Sequence, residues 1–301
     1  MSILAIIAAL LFDHIKPFDR QYYIGCPLEN AAHRINQLFN ANDYHQGIVA
    51  WLLAVLPITL AFAVLWVLLY WAFPLLAWLL NVAIVYFLID FQRKNNQLAS
   101  IISAFERDDI AQAKRELAQW IHLDVGTLTR EEVISQTIKA MLKSSISVIF
   151  APVFWFVLLP GPTGIIVYCL STFFAQHWVQ QSIKEADAGF STFSIQVVRL
   201  LDWLPIYILS GTFALVGNFV DVVYAMRIQR DLVRQDRFAP VYSSGTAAIG
   251  VRCSNKTPDG EIITYGLKET PNIHHLSLLF TLLWRALVAW LAIFGLISFV
   301  F

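Results

Sequence analysis

RLLDWLPIYILSGTFALVGNFVDVVYAMR, residues Arg199 to Arg227, decides the fold. Between Asp202 and Asp221 it carries no charged side chain. That interval reaches most of the way across a bilayer, which takes about 20 apolar residues. Arg199 and Asp202 stand one turn apart at its mouth, on a single helical face. Pro205, Gly211 and Gly217 punctuate it, and Asn218 and Asp221 close its far end. A segment that only crossed lipid would need none of these. Polar side chains at membrane depth are costly and face protein or a water-filled cavity. Broken helices persist there only where the freed backbone finds partners. The stretch is therefore expected to line a polar pocket, with the other apolar segments packed around it.

The whole composition agrees with a membrane setting. The chain has 301 residues, of which 58% are hydrophobic and 14% charged. Mean hydropathy is +0.62. A soluble domain carries roughly 25% charged residues. The formal net charge is zero, which argues against a nucleic-acid partner. Cys26, Cys169 and Cys253 lie far apart and form no metal-binding or disulfide pattern. MSILAIIAALLFDH at the start lacks a basic leader and a small-residue cleavage site, so it reads as a retained membrane segment.

The expected fold is all-α: a polytopic helical membrane protein with re-entrant or broken helices and a small cytoplasmic helical region. Residues 1–47 hold the N-terminal membrane segment and an interfacial helix. Its stripe is Ala32, Ile35 and Leu38 or Phe39. Residues 48–90 form one uncharged tract as far as Ile89, long enough for two spans joined near Trp71–Pro74. Residues 91–147 are rich in Lys and Arg and are placed in the cytoplasm by the positive-inside rule. Asp108 is the expected cap of one helix there, and Thr129 with Glu132 has capping-box spacing for the next. Residues 148–226 carry broken or re-entrant membrane helices around the turn Pro160–Gly164. Residues 227–274 form a second basic, cytoplasmic loop, in which TPDGEIITYG (Thr257 to Gly266) has the signature of a short hairpin. Residues 275–301 are the last span, interrupted by Arg285. If both basic blocks share one side, an even number of crossings separates them.

Several stretches resemble the CobD/CbiB–AmpE family of membrane proteins. They are FERDDIAQAKRELAQWIHLDVGTLTREEV (Phe105 to Val133), IFAPVFWFVLLPGP (Ile149 to Pro162) and AAIGVRC (Ala247 to Cys253). RLLDWLP (Arg199 to Pro205), followed by FALVGNFVD (Phe213 to Asp221), is the most specific and looks closer to AmpE. In the first stretch Asp108, Asp109, Asp124 and Leu128 stand at family positions. The resemblance implies one of two jobs. CobD/CbiB members condense adenosylcobyric acid with an aminopropanol phosphate, using ATP and magnesium, to form an amide. AmpE members are inner-membrane proteins linked to the regulation of β-lactamase expression.

The departures from the family pattern shape the expectation. Where the synthases carry carboxylates before the "AP" segment, this chain reads Lys139, Lys143, Ser144, Ser147 and Val148. Where they carry an Asn and an Asp after the apolar hairpin, Ser171 and Phe174 stand. Ser254 and Asn255 replace the second part of a Gly-rich segment. Magnesium takes oxygen ligands, so a basic and hydroxylic cluster suits an anion instead.

The expected function is accordingly an AmpE-like regulatory or sensory protein of the bacterial inner membrane, catalytically diverged and without a cofactor. The alternative is the amide-forming synthase with ATP and magnesium, in which Asp108, Asp109, Asp124, Asp202 and Asp221 make metal and phosphate contacts. A transporter is a third reading, motivated by Pro205, Gly211 and Arg285. The expected pocket gathers Arg199, Asp202, Asn218, Asp221 and Arg285. Lys139 and Lys143 are expected anion contacts, and no metal site is expected. The expected partners are the lipid bilayer and a small anionic ligand or a partner protein, with oligomers open.

Overall fold

The computed structural model describes residues 2–15, 25–39, 44–121, 125–185, 189–256 and 262–300. Asp124, the expected Asp-Gly turn at 259–260 and the side chain of Cys26 lie outside the described residues. The helices begin with α1 (Ser2–Ile15), α2 (Cys26–Phe39), α3 (Tyr44–Ala72) and α4 (Pro74–Leu88). Next come α5 (Phe91–Glu106), α6 (Ile110–Ile121) and α7 (Arg130–Ser145). A π turn (Ile146–Phe150) leads to α8 (Ala151–Leu158), then α9 (Thr163–Glu185) and α10 (Gly189–Val216). The rest is α11 (Phe219–Ile228), α12 (Arg230–Gln235), α13 (Ala239–Ala248), β1 (Cys253–Lys256), β2 (Ile262–Tyr265) and α14 (Ile273–Val300). Among the described residues, five runs are long and apolar enough to cross a membrane: Tyr44–Ala72, Pro74–Glu106, Arg130–Leu158, Phe190–Val216 and Ile273–Leu296. The molecule is an all-α, multi-pass membrane protein with a small hairpin attached.

The chain divides into two compact units. The first comprises Met1–Asp90 and Ala151–Asp202, the second Phe91–Phe150 and Trp203–Phe301.

In the first unit, the uncharged tract breaks where the sequence places its joint. Phe73 leaves the helical region and Pro74 opens α4, where a missing N–H costs nothing. α1 packs on α4, and α3 packs on α4 and α9. α2 buries Ala32 and Asn36, while Leu38 is 78% exposed. On the expected stripe Ala32 is buried and Ile35 half-buried, the indole N–H of Trp178 donates to the Ala32 carbonyl, and the Phe39 side chain lies outside the described residues. Two glycines allow close approach. A β-carbon on Gly47 would lie 2.4 Å from the Phe190 carbonyl oxygen. One on Gly161, whose φ is +64°, would enter the Trp66 ring.

In the second unit, α5 and α6 form a hairpin against α7. Leu98, Ile101 and Phe105 on α5 are buried, as are Ala113, Leu117 and Trp120 on α6. The cap of α6 is Asp109, one residue later than expected: its Oδ1 accepts from the Gln112 N–H at 2.9 Å. Asp108 instead takes a positive φ of 59° and pairs with Arg130 at 2.6 Å. The expected capping box forms, with Glu132 N–H donating to Thr129 Oγ1 and Thr129 N–H to Glu132. α7 does not stop at a surface. It continues through the π turn into α8, so Arg130–Leu158 is one run of 29 residues. The hairpin pairs Cys253 with Tyr265 and Lys256 with Ile262, so its first strand precedes the Thr257 start expected.

Candidate functional site

Ser135, Lys139 and Lys143 recur every four residues on α7, so they share one helical face. Three neighbours cover that face. β1 is tied to it by the Ser135 hydroxyl, which donates to the Ser254 carbonyl at 3.2 Å. α13 lies close because Gly245 has no β-carbon; one would stand 2.6 Å from Leu142 Cδ2. The segment 236–238 closes the end beside Lys143, whose ammonium sits 5.4 Å from the centre of the Phe238 ring. The Arg237 guanidinium sits 4.4 Å from the centre of the same ring.

Lys139 is 6% exposed, in the middle of this face. Cys253 and Asp236 are the groups whose charge would act on its ammonium. Cys253 cannot supply one at neutral pH. Burial pushes its thiol up to about 11, against the smaller opposing effects of the Ser135 hydrogen bond and Lys139. Asp236 is engaged elsewhere. It accepts from the Phe238 N–H at 3.0 Å and hydrogen-bonds the Tyr265 phenol. Burial first, and Asp236 second, push Tyr265 up to about 12. The same two causes, in the same order, push Tyr242 above the ordinary phenol range. Both phenols are therefore neutral donors, with their rings edge to face at 5.3 Å. Gln229 fixes the back of β2 by donating to the carbonyls of Thr264 and Gly266 at 3.2 and 3.3 Å.

The cluster holds three cations, Lys139, Lys143 and Arg237, and one carboxylate, Asp236. It suits an anion bearing more than one charge. Among the described residues no group of three His, Cys, Asp or Glu could hold a metal ion.

Of the other expected site residues, Arg199 and Asp202 belong to the first unit and Asn218, Asp221 and Arg285 to the second. Asp202 belongs to the first unit, is 1% exposed, and accepts from the Tyr168 phenol at 2.8 Å. Arg199 is exposed on α10. Asn218 caps α11, accepting from the Asp221 N–H and donating to its carboxylate. Lys268 completes that surface group by pairing with Asp221. Arg285 is exposed on α14. Asn218 and Asp221 thus come together, around a lysine the sequence reading passes over. Lys139 and Lys143 also come together, joined by Ser135, Asp236, Arg237, Tyr242, Cys253 and Tyr265. The four-residue spacing of Ser135, Lys139 and Lys143 was a usable signal; nothing in the spacing links α7 to Asp236 or Cys253.

Comparison with known proteins places the chain. The family model described as "CobD/Cbib protein" matches residues 6–231. A protein of Stutzerimonas stutzeri (strain A1501), named "Cobalamin biosynthesis protein CobD", is 26% identical over 298 residues, covering 96% of each chain. A Chromobacterium violaceum protein of the same name is 24% identical over 178 residues, covering 59% of this chain and 56% of that one. No solved structure matches. These findings correct the expectation of an AmpE-like regulator: the matching family is that of CobD/Cbib proteins, and both relatives are named for cobalamin biosynthesis. A family model matched over most of the chain, and a relative aligned along nearly all of it, mean that this membrane protein belongs to the CobD/CbiB family.

Proposed function

We propose that this chain acts in cobalamin biosynthesis, in the bacterial inner membrane, as the amide-forming synthase that its family resemblance implies. The observation that carries the proposal is the full-length alignment with a protein named for that pathway. The reaction joins a corrinoid carboxylate to the amine of an aminopropanol phosphate, with ATP driving loss of the carboxylate oxygen. Two of its reactants carry phosphate, and the Lys139 cluster supplies the positive charge to hold one. Charge neutralisation and positioning are what such a site contributes. The roles assigned to this chain's own residues are binding, orienting and neutralising.

The test is complementation. A strain blocked at the amide-forming step should regain cobalamin-dependent growth when this chain is expressed. Failure to grow, with the protein inserted in the membrane at normal level, overturns the proposal.

A further inference from the structure

Gly217 and Asn218 alone separate α11 from α10, which carries the apolar run Phe190–Val216, long enough to cross a membrane. Two residues reach about 7 Å at most. α11 therefore begins at the membrane boundary, whichever way the chain turns. Its 10 residues make a rod of about 15 Å, half of a hydrocarbon core of about 30 Å, so it is not itself a span. The turn is held from several sides. A β-carbon on Gly217 would stand 2.7 Å from the Ala248 β-carbon, the Asn218 side chain caps α11, and Asp221 pairs with Lys268. Val222 and Ala225, on the inner face, are buried in one cluster with Ala247 of α13. The outer face is open. Phe219, Val220, Val223, Tyr224 and Ile228 share one side of the helix and are between 48% and 73% exposed. Arg227 on the same side, and Arg230 at the start of α12, are exposed as well.

We propose that α11 lies flat in the interfacial layer of the bilayer, its open apolar face among the upper acyl chains and Arg227 and Arg230 on the headgroups of anionic phospholipids. Three observations favour a lipid surface as the occupant. Leu215, in the last turn of α10, is 75% exposed, so the lipid-facing surface of the span runs up to the break before α11. Tyr224 joins an apolar ring to a polar tip, which suits the headgroup level, and the two arginines reach phosphates while their stems stay in the apolar layer. An apolar face with cations beside it is the pattern of a helix that rests on an anionic membrane. A second copy of the chain fits less well: one side of so short a helix offers roughly 150 Å², against about 800 Å² per partner in a stable interface.

The experiment uses the full chain with Cys26→Ser and Cys169→Ser, keeping the buried Cys253, in nanodiscs of mixed phosphatidylcholine and phosphatidylglycerol. Val223→Cys carries a bimane label. Lipids brominated high on the acyl chain should quench the label more than aqueous iodide does. At equal mole fraction, brominated phosphatidylglycerol should quench several-fold more than brominated phosphatidylcholine, since each cation at an anionic surface is worth about fivefold. Arg227→Gln combined with Arg230→Gln should remove that preference and leave the depth of the label unchanged. Quenching by iodide alone, or quenching strongest from bromines at the chain ends, overturns the flat placement. A preference that survives both arginine substitutions overturns the anionic-lipid site. A label shielded from lipid and iodide alike, with disulfide-linked dimers formed through Val223→Cys, gives the face to a second copy and overturns the proposal. If Val223→Cys does not fold, Val220→Cys carries the label under the same criteria.

Discussion

At the scale of single residues, Cys253 shows how position outweighs identity. In the sequence it is an isolated thiol with no partner spacing. In the fold it is fully buried beside Ser135 and Lys139. Its folded value of about 11 lies above the ordinary 9.0, so the folded state binds the thiol proton more tightly than the unfolded chain does. That preference stabilises the fold fully below pH 9.0 and is lost as pH rises through about 11. Maleimide labelling followed by mass spectrometry should therefore find Cys253 nearly unreactive at neutral pH, with reaction rising only toward that alkaline range. Rapid labelling of the folded chain at neutral pH would contradict the burial described. Asp202 is the complementary case. Its presence in an apolar stretch marks it as partnered, yet only the coordinates name Tyr168, which lies on another helix.

At the scale of elements, local chemistry was largely legible. Pro74 predicts the joint between α3 and α4, and Thr129 with Glu132 predicts the start of α7. Both signals are confined to a few neighbouring residues, so no distant packing overrides them. Asp108 and Asp109 show the limit, since adjacent aspartates are equally good caps; Asp109 takes the cap while Asp108 pairs with Arg130. Helix-to-helix approach was not legible at all. Gly47 stands near the start of α3 with no special spacing, yet it admits the Phe190 backbone of α10. Gly47→Ala places a methyl against a carbonyl oxygen that cannot rotate away. Thermal unfolding in detergent should show a loss of about 1–3 kcal/mol. A melting temperature equal to wild type would mean that the two helices part at no cost.

At the scale of the whole molecule, composition alone indicated a multi-pass membrane protein, because so much apolar surface has no other home. The chain should stay with the membrane pellet through an alkaline carbonate wash and leave it only in detergent. Recovery in the wash would contradict the five spans. The candidate site was half legible. Lys139 and Lys143 stood out in the sequence because basic residues there break the family's acidic pattern. Their partners come from beyond residue 228 and depend on the fold of α13 and the hairpin, which no spacing encodes. The basic substitutions suggested lost activity. Family membership and the relatives' names weigh against that inference.

The turn at Pro160–Gly164 carries a practical consequence. A loop tip is the customary place to splice a reporter enzyme for mapping which side of a bilayer a segment occupies. Here the tip is plugged: the indole of Trp66, from α3, occupies the space where any side chain at Gly161 would have to go. A reporter inserted there would evict that indole and register the orientation of a damaged bundle, so sidedness mapping of this protein should avoid its most obvious loop.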